Sequence, residues 1–381
     1  MSIKIGIVGT VLKNNKRGFE SYVRQLLTTL ACLEGDFSII LYTDKELPEF
    51  AELKKITVRV IPRRGKMFFW RNLQLPYFAL KDRIDVMHFP DNAVWFIPWK
   101  PTIVTLHDIS PLLLKNLQIT SARMLFVIRI MYFFICKNAR LIITDSETSR
   151  KDILSFLSVS PEKIVTVPLA CPNIFIEHAR KESTDVKKSV KKSSEQYVLF
   201  VGGVDRRKNV IKLVEAVEIL RSLTKKNIRL ILAGVHTGSK GLHYISRDTL
   251  VYDTSIEGFL ILRGHVRDEE LIQLYKGASV FVLPSLYEGF GLTVLEAMSC
   301  RTPVIVSDSE WGREITGGNA VFVDPHDAHD IARGIQSILA DEKKVSELVE
   351  KAAVHFQQFS WQKTAALTLE HYKRQVTRCA E

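Results

Sequence analysis

Short apolar runs alternate along the chain with stretches in which apolar residues recur about every three or four positions. Ile3–Val8, Phe37–Tyr42, Thr57–Ile61, Asp85–Phe89, Thr102–Leu106, Ala139–Thr144 and Ile164–Val167 have the length of buried strands, about 4–8 residues. Helical spacing fills Phe19–Cys32, Met124–Cys136 and the stretch after Asp145-Ser146-Glu147-Thr148-Ser149-Arg150, where Ser146 or Ser149 is expected to cap. A second series follows. Tyr197–Val201, Arg229–Ala233, Phe259–Leu262, Ala278–Leu283, Thr302–Val306 and Ala320–Val323 predict strands; Asp268–Lys276, Thr293–Cys300, Ala328–Phe359 and Trp361–Thr377 predict helices. Apolar strands alternating with helices imply an α/β protein with parallel, doubly wound sheets. Between the series, Cys171–Gln196 mixes lysines with serines and holds few apolar residues, the composition of an exposed linker. The expected plan is a first domain over 1–170, a linker over 171–196, a second domain over 197–358 and a terminal helix in 359–381.

Length agrees with two domains, since 381 residues exceed one ordinary core. A hydrophobic fraction of 46% and a charged fraction of 25% are ordinary for a globular protein. The five cysteines show no paired spacing, and MSIKIGIVGT enters a strand directly; both suit reduced thiols in a cytosol. No His or Cys spacing suggests a metal. The net charge of +11 changes the picture more. It calls for an anionic partner, and nucleic acid is disfavoured because no recognition motif accompanies the charge. Arg63, Arg64, Lys66 and Arg71 surround Met67, Phe68, Phe69 and Trp70. That segment suits either a membrane interface or a packed helix with snorkelling cations. Met124–Cys136 is apolar but carries Arg129 and is flanked by Arg123 and Lys137. It is expected to be a buried helix or one lying in an interface, being short of the roughly 20 residues that span a bilayer.

Candidate chemistry gathers at strand ends, where ligands of such sheets bind. Leu283–Asp308 reads as strand, Gly loop, helix and strand. Gly289 and Gly291 allow close approach of backbone to a ligand. The N–H groups of Phe290, Gly291 and Leu292 at the helix start suit an anion. Glu288 and Glu296 can accept from sugar hydroxyls. Gly202–Asn209 combines Gly202 and Gly203 with Arg207 and Lys208 just before a helix, a combination that suits a diphosphate. The loop Gly9–Gly18 lacks G-x-G-x-x-G, and Lys16, Arg17 and Gly18 there form either an acceptor mouth or a solvated basic loop. His107-Asp108 follows the strand Thr102–Leu106.

E-G-F-G, L-E-A-M and T-P-V-I, with Glu288 and Glu296 eight positions apart, closely resemble the donor-binding signature of retaining family 4 glycosyltransferases. The resemblance covers nearly all the chain and is densest in Val201–Asn209 and Phe281–Val306. It implies the GT-B fold, two Rossmann-like domains with an interdomain cleft, and a last helix that crosses back to the first domain. Glu288 is then expected at the transferred sugar, Glu296 at the ribose, Lys208 at the diphosphate and the Val266 backbone near the base. His107 corresponds to the first-domain histidine that lies over the sugar. Three departures stand out: Gly203 where many members have Arg, with Arg207 as its substitute; Arg17 in place of a loop glycine; and Arg301 where Gly is usual. The implied reaction moves a hexose of mannose or glucose type from a GDP or UDP sugar to a glycan or lipid-linked glycan hydroxyl. Retention, no cofactor and no divalent metal are expected. So are a role in cell-surface polysaccharide such as lipopolysaccharide, and a cytoplasmic, peripheral-membrane place. The rivals are a non-catalytic sugar-nucleotide-binding subunit and a nicotinamide-dependent oxidoreductase, the latter lacking its glycine fingerprint.

Overall fold

The computed structural model describes residues 2–12, 18–114, 121–184, 196–203, 205–234 and 258–377. The chain forms two compact units. The first comprises Met1–Ile109, Ala122–Ala170 and Phe359–Glu381; the second comprises Ser110–Ser121 and Cys171–Gln358.

In the first unit the described strands are β1 (Ile3–Val8), β2 (Phe37–Thr43), β3 (Ile56–Val60), β4 (Val86–Phe89), β5 (Thr102–Thr105), β6 (Leu141–Thr144) and β7 (Ile164–Thr166). All pair in parallel, in the order β3-β2-β1-β4-β5-β6-β7. The order reverses direction beside β1, which creates the switch point of a doubly wound sheet. Helix α1 (Phe19–Cys32) buries Tyr22, Val23, Leu26, Leu27 and Leu30, one stripe at helical spacing. Gly18 caps its start with φ 55°, a conformation that suits a residue without Cβ.

The segment 63–81 forms a short helical turn, a π-helical turn Trp70–Gln74 and then α2 (Leu75–Lys81). The sequence groups its aromatic and basic residues as one cluster, and the fold divides them. Trp70 is fully buried and donates from Nε1 to the Ile61 carbonyl at 2.8 Å. Arg71 donates to Asp91 Oδ2 at 3.0 Å. Phe68 and Phe69 stay exposed. Helix α3 (Ala122–Asn138) buries Tyr132, Ile135 and Cys136 and leaves most of its other apolar residues outside. Ser146 caps α4 (Glu147–Phe156), accepting from the Ser149 amide at 3.0 Å.

The expected linker is corrected in part. Asn173–Thr184 is a helix, α5. It buries Phe175 and Ile176, with the Phe175 ring 6.1 Å from that of Tyr275. The lysine-rich composition of 171–196 comes mostly from residues after this helix, which itself holds only Lys181, and it hides the helix's buried side. Lys187, Lys188, Lys191 and Lys192 lie outside the described residues.

The second unit's described strands are β8 (Tyr197–Val201), β9 (Arg229–Ala233), β10 (Leu260–Arg263), β11 (Val280–Leu283), β12 (Val304–Ser307) and β13 (Val321–Val323). They too are parallel, in the order β10-β9-β8-β11-β12-β13. Helices α6 (Val210–Thr224), α7 (Asp268–Gly277), α8 (Leu292–Ser299), α9 (Glu310–Thr316), α10 (Ala328–Ala340) and α11 (Glu342–Phe356) connect or flank them. The last helix, α12 (Trp361–Thr377), packs in the first unit on α1, β1 and β4. It buries Trp361, Thr364, Ala365, Thr368, Leu369 and Tyr372.

Candidate functional site

β8 and β11 are neighbours, with Leu199 beside Phe281. The loops that leave their carboxyl ends therefore meet. After β8 the chain makes a tight 3-10 turn, Arg206–Lys208, capped by Asp205, whose Oδ1 accepts from the Arg207 amide at 2.8 Å. Asn209 then takes the left-handed conformation, φ 56°. Its Nδ2 donates to the carbonyls of Pro284 (3.2 Å) and Pro325 (2.6 Å), tying this loop to those after β11 and β13.

Within that frame the structure brings Arg207, Lys208 and Glu288 together. Arg207 Nη1 donates to Glu288 Oε2 and to the Tyr287 carbonyl, the latter at 2.8 Å. Lys208 Nζ lies 3.7 Å from Glu288 Oε1, and Ser285 Oγ donates to the same oxygen at 2.9 Å. Burial of Glu288 alone would raise its pKa. The charges of Arg207 and Lys208 and the hydrogen bonds from Arg207 and Ser285 prevail, and hold it at about 2. Glu288 is thus a fixed carboxylate; Arg207 also lies 3.9 Å from Asp205 Oδ2, so the two cations are balanced by two carboxylates. Gly202 has φ 145°, and a Cβ there would stand 2.7 Å from Lys208 Nζ. The lysine lies across the glycine.

The Glu288 loop runs through Gly289 and Phe290 into α8. Gly291 is the cap, at φ 93°. The first-turn N–H groups of a helix have no partner within it and point to an anion. Glu296 sits on α8, buried, and accepts from the Tyr275 hydroxyl at 2.9 Å. Val266 is buried just beyond β10, and Gly203 is half-buried in the loop after β8.

In the first unit His107 follows β5. Its Nδ1 donates to Asp145 Oδ2 at 2.6 Å, and Nε2 faces the Pro90 carbonyl at 3.3 Å. Burial opposes its charge, but Asp145 and those acceptors prevail and raise its pKa above the ordinary value. Phe19 and Tyr22 pack on the ring at 4.8 and 4.9 Å. The Tyr22 hydroxyl meets Thr105 Oγ1 at 3.0 Å, and that oxygen meets His88 Nε2 at 2.8 Å. His88 Nδ1 in turn meets the Tyr372 hydroxyl of α12 at 2.7 Å. A buried polar chain therefore runs from the last helix to the floor beneath His107.

Residues 16–171 match the family described as Glycosyltransferase Family 4, and residues 181–355 match Glycosyl transferases group 1. An O-antigen chain mannosyltransferase B of Escherichia coli is 30% identical over 298 residues, 78% of this chain and 76% of that one. This chain belongs to the family 4 glycosyltransferases. A serotype-specific mannosyltransferase WbdA of Escherichia coli is 28% identical over 282 residues, 73% of this chain but only 34% of that longer protein. Sucrose-phosphate synthase from Thermosynechococcus elongatus superimposes over the whole of both chains, with a TM-score of 0.74 at 21% identity. The glycosyltransferase has the GT-B fold.

The glycosyltransferase's expected donor residues Arg207, Lys208, Glu288, Gly289, Phe290, Gly291, Leu292 and Glu296 lie on two neighbouring loops and the helix that follows one of them. His107 belongs to the other unit. Lys16 and Arg17 lie outside the described residues, whereas Gly18 caps α1. Sequence reasoning assigned no site role to Ser285, Tyr275, Asp145 or His88. Asp145 was in view, at the head of a capping stretch. The capping falls to Ser146, and the parallel register puts Asp145 elsewhere. Thr105 pairs with Ile143, so His107 and Asp145, each two residues further on, reach the same level on adjacent strands. Among the described residues no group of three or more His, Cys, Asp or Glu side chains is placed to hold a metal ion.

Proposed function

We propose that this glycosyltransferase moves a hexose, mannose first among the candidates, from a nucleoside-diphosphate sugar to a hydroxyl of a glycan or lipid-linked glycan. The setting is cell-surface polysaccharide synthesis on the cytoplasmic side. One observation carries this reading: a buried, permanently ionised Glu288 clamped by Arg207, Lys208 and Ser285 beside the N-terminus of α8. The mannosyltransferase names of its relatives support the choice of sugar.

Charge decides the division of labour. A leaving diphosphate gains negative charge as the glycosidic bond breaks, so groups aimed at it act mostly in the transition state. Arg207, Lys208 and the first-turn N–H groups of α8 neutralise that charge, and the reaction then needs neither a divalent metal nor a cofactor. Glu288 accepts from sugar hydroxyls, and its ion pairs hold the two cations in place. Glu296, oriented by Tyr275, accepts from the ribose. Gly203 and Val266 border the nucleotide with backbone alone. With both carboxylates committed to hydroxyls, retention by double displacement through a covalent glycosyl-enzyme intermediate has no carboxylate free to act as nucleophile. Retention proceeds by front-side delivery: the acceptor oxygen bonds the anomeric carbon on the face the diphosphate leaves, and its proton passes to the departing diphosphate; His107 is assigned to the transferred sugar, and Lys16, Arg17 and Gly18 to the acceptor.

The test is a donor panel, GDP-mannose and UDP-glucose included, read by thermal shift and donor hydrolysis with and without EDTA. One donor is expected to stabilise the protein and be hydrolysed equally in both conditions. Glu296→Ala is expected to weaken donor and bare nucleotide alike. Glu288→Ala is expected to spare the nucleotide and lower turnover. No response to any donor removes the reading, and equal nucleotide losses in both variants remove the division of roles.

A further inference from the structure

His107 is held at both ring nitrogens, and by acceptors alone. Nδ1 lies 2.6 Å from Asp145 Oδ2, and Nε2 lies 3.3 Å from the Pro90 carbonyl. A carboxylate and a carbonyl only accept, so each nitrogen must bring a proton to bond its neighbour. Neutral imidazole has one such proton and would leave a bare nitrogen against one of the two oxygens. Imidazolium has two and satisfies both. The loop after β4 is built round this ring. Asn92 takes the left-handed conformation, φ 54°, which asparagine tolerates better than most residues. Its amide donates to the Thr105 carbonyl and its Oδ1 accepts from the His107 amide, both at 3.3 Å. These bonds fix the loop that brings the Pro90 carbonyl to Nε2.

Asp145 is only 3% exposed, and its Oδ1 is buried with no hydrogen-bond partner among the described residues. A carboxylate so placed keeps its charge only beside an opposite one, and His107 is that charge. Burial opposes the charge on His107; Asp145, the Pro90 carbonyl and Asp108 of its own loop outweigh it. The other groups around the ring do not compete. From α1, Phe19 and Tyr22 pack on it, and burial above all raises the pKa of the Tyr22 phenol, which stays protonated. From β4, His88 stays neutral, held by burial at about 3. We propose that Asp145 is a positioning residue for the transfer: it holds His107 doubly protonated and fixes the ring, so that His107 offers the transferred sugar a hydrogen-bond donor and not a base. This rests on the proposed reaction, in which His107 meets the transferred sugar. The contact from Nε2 to Pro90 is long for a hydrogen bond, so the donor exchanges that carbonyl for a sugar hydroxyl oxygen. Asp145 balances the charge of the ring. The pair therefore brings a charge-assisted donor without setting a net positive charge against the positive character that gathers at the anomeric carbon. Two consequences follow. His107 takes no proton from the acceptor, which agrees with that proton passing to the diphosphate. Turnover is lost as pH rises through the pKa of His107, which lies above 6.5.

Two measurements on the full chain test this. Nitrogen-15 spectra of histidine-labelled protein read the protonation of His107, whose signals are assigned by their loss in His107→Gln. At pH 7 both of its nitrogens are expected to carry protons in wild type, and Nδ1 alone in Asp145→Asn. The pH profile of donor hydrolysis, with GDP-mannose and UDP-glucose, is read on the same proteins. Wild-type kcat/KM is expected to fall on the alkaline side. The amide oxygen of Asp145→Asn still accepts from Nδ1 but brings no charge. This variant should lose about tenfold against wild type at pH 8 and markedly less at pH 6. His107→Gln, a donor without a titrating proton, should be about tenfold slower or worse and lack the alkaline fall. A neutral His107 in wild type at pH 7 overturns the proposal, whether or not any variant folds. So does an Asp145→Asn deficit of the same size at pH 6 and pH 8, the mark of a residue that only supports the fold. An alkaline fall that persists in His107→Gln overturns it too. A doubly protonated His107 in a protein that hydrolyses no donor at any pH upholds the pair and removes the reaction.

Discussion

At Gly202 a hydrogen atom in place of a methyl group sets where a cation lies. An alanine there would put Cβ 2.7 Å from Lys208 Nζ, at a φ of 145° that side chains rarely adopt. We therefore expect Gly202→Ala to displace Lys208 and to lower kcat/KM by about 10²–10³-fold, the range for losing one transition-state donor. Lys208→Ala should match it, and the double variant should lose little more, because both remove the same contact. Steady-state kinetics on the three variants checks this; losses that multiply would separate the glycine from the lysine. The Gly-rich run before a helix was legible in the sequence. The identity of the glycine under the lysine was not, since it depends on the fold of the 3-10 turn. Arg301 teaches the complementary lesson. It stands where the family usually has Gly, and it takes φ 55°, so the backbone keeps the left-handed turn that a glycine favours. The side chain that remains reaches Glu350.

Elements were legible wherever one side chain pattern served one purpose. The limits of α1 and α12 follow from their stripes alone, because each helix buries a single face. The sequence fails where a helix has two different sides, as in α5, or where neighbours across the sheet decide the outcome, as for His107 and Asp145. Strand adjacency is a property of the whole sheet and leaves no local trace. The same holds for α12, whose Tyr372 hydroxyl meets His88 Nδ1 at 2.7 Å. Tyr372→Phe leaves one buried imidazole nitrogen without its partner. It should cost about 1–3 kcal/mol, seen as a lower urea midpoint for the first unit with little change in nucleotide affinity. An unchanged midpoint would mean that the hydroxyl is dispensable and that α12 holds by its apolar face alone.

For the molecule as a whole, His88, Glu288 and the pair His107–Asp145 are the buried groups that bear on the response to pH, and the half-buried His355 and His371, both with a pKa lowered by burial, act in the same direction as His88. Burial, with the charge of His107 adding to it, lowers the pKa of His88 to about 3 from 6.5. The fold refuses a proton that the unfolded chain accepts, so stability is intact above 6.5 and falls as pH drops toward 3. Glu288, held at about 2 against an ordinary 4.5, contributes stability that is present above 4.5 and lost toward 2. His107 has the opposite sign: its raised pKa gives stability present below 6.5 and lost as pH rises through the folded value. Acid destabilisation between 6.5 and 4.5 should therefore be dominated by His88, with a slope of up to about 1.4 kcal/mol per pH unit. Urea midpoints at pH 7, 6 and 5 measure it, and His88→Phe should be less stable throughout but flatter across that window. The placement of α12 has a further consequence, in time rather than space. A ribosome makes residues 171–358 before it makes Tyr372, so β4 and α1 wait uncovered while the whole second unit is synthesised and can fold. At about 5–20 residues per second, that wait is many seconds of exposed apolar sheet. A nascent chain stalled before residue 361 would present a chaperone with a finished second unit and an open first one.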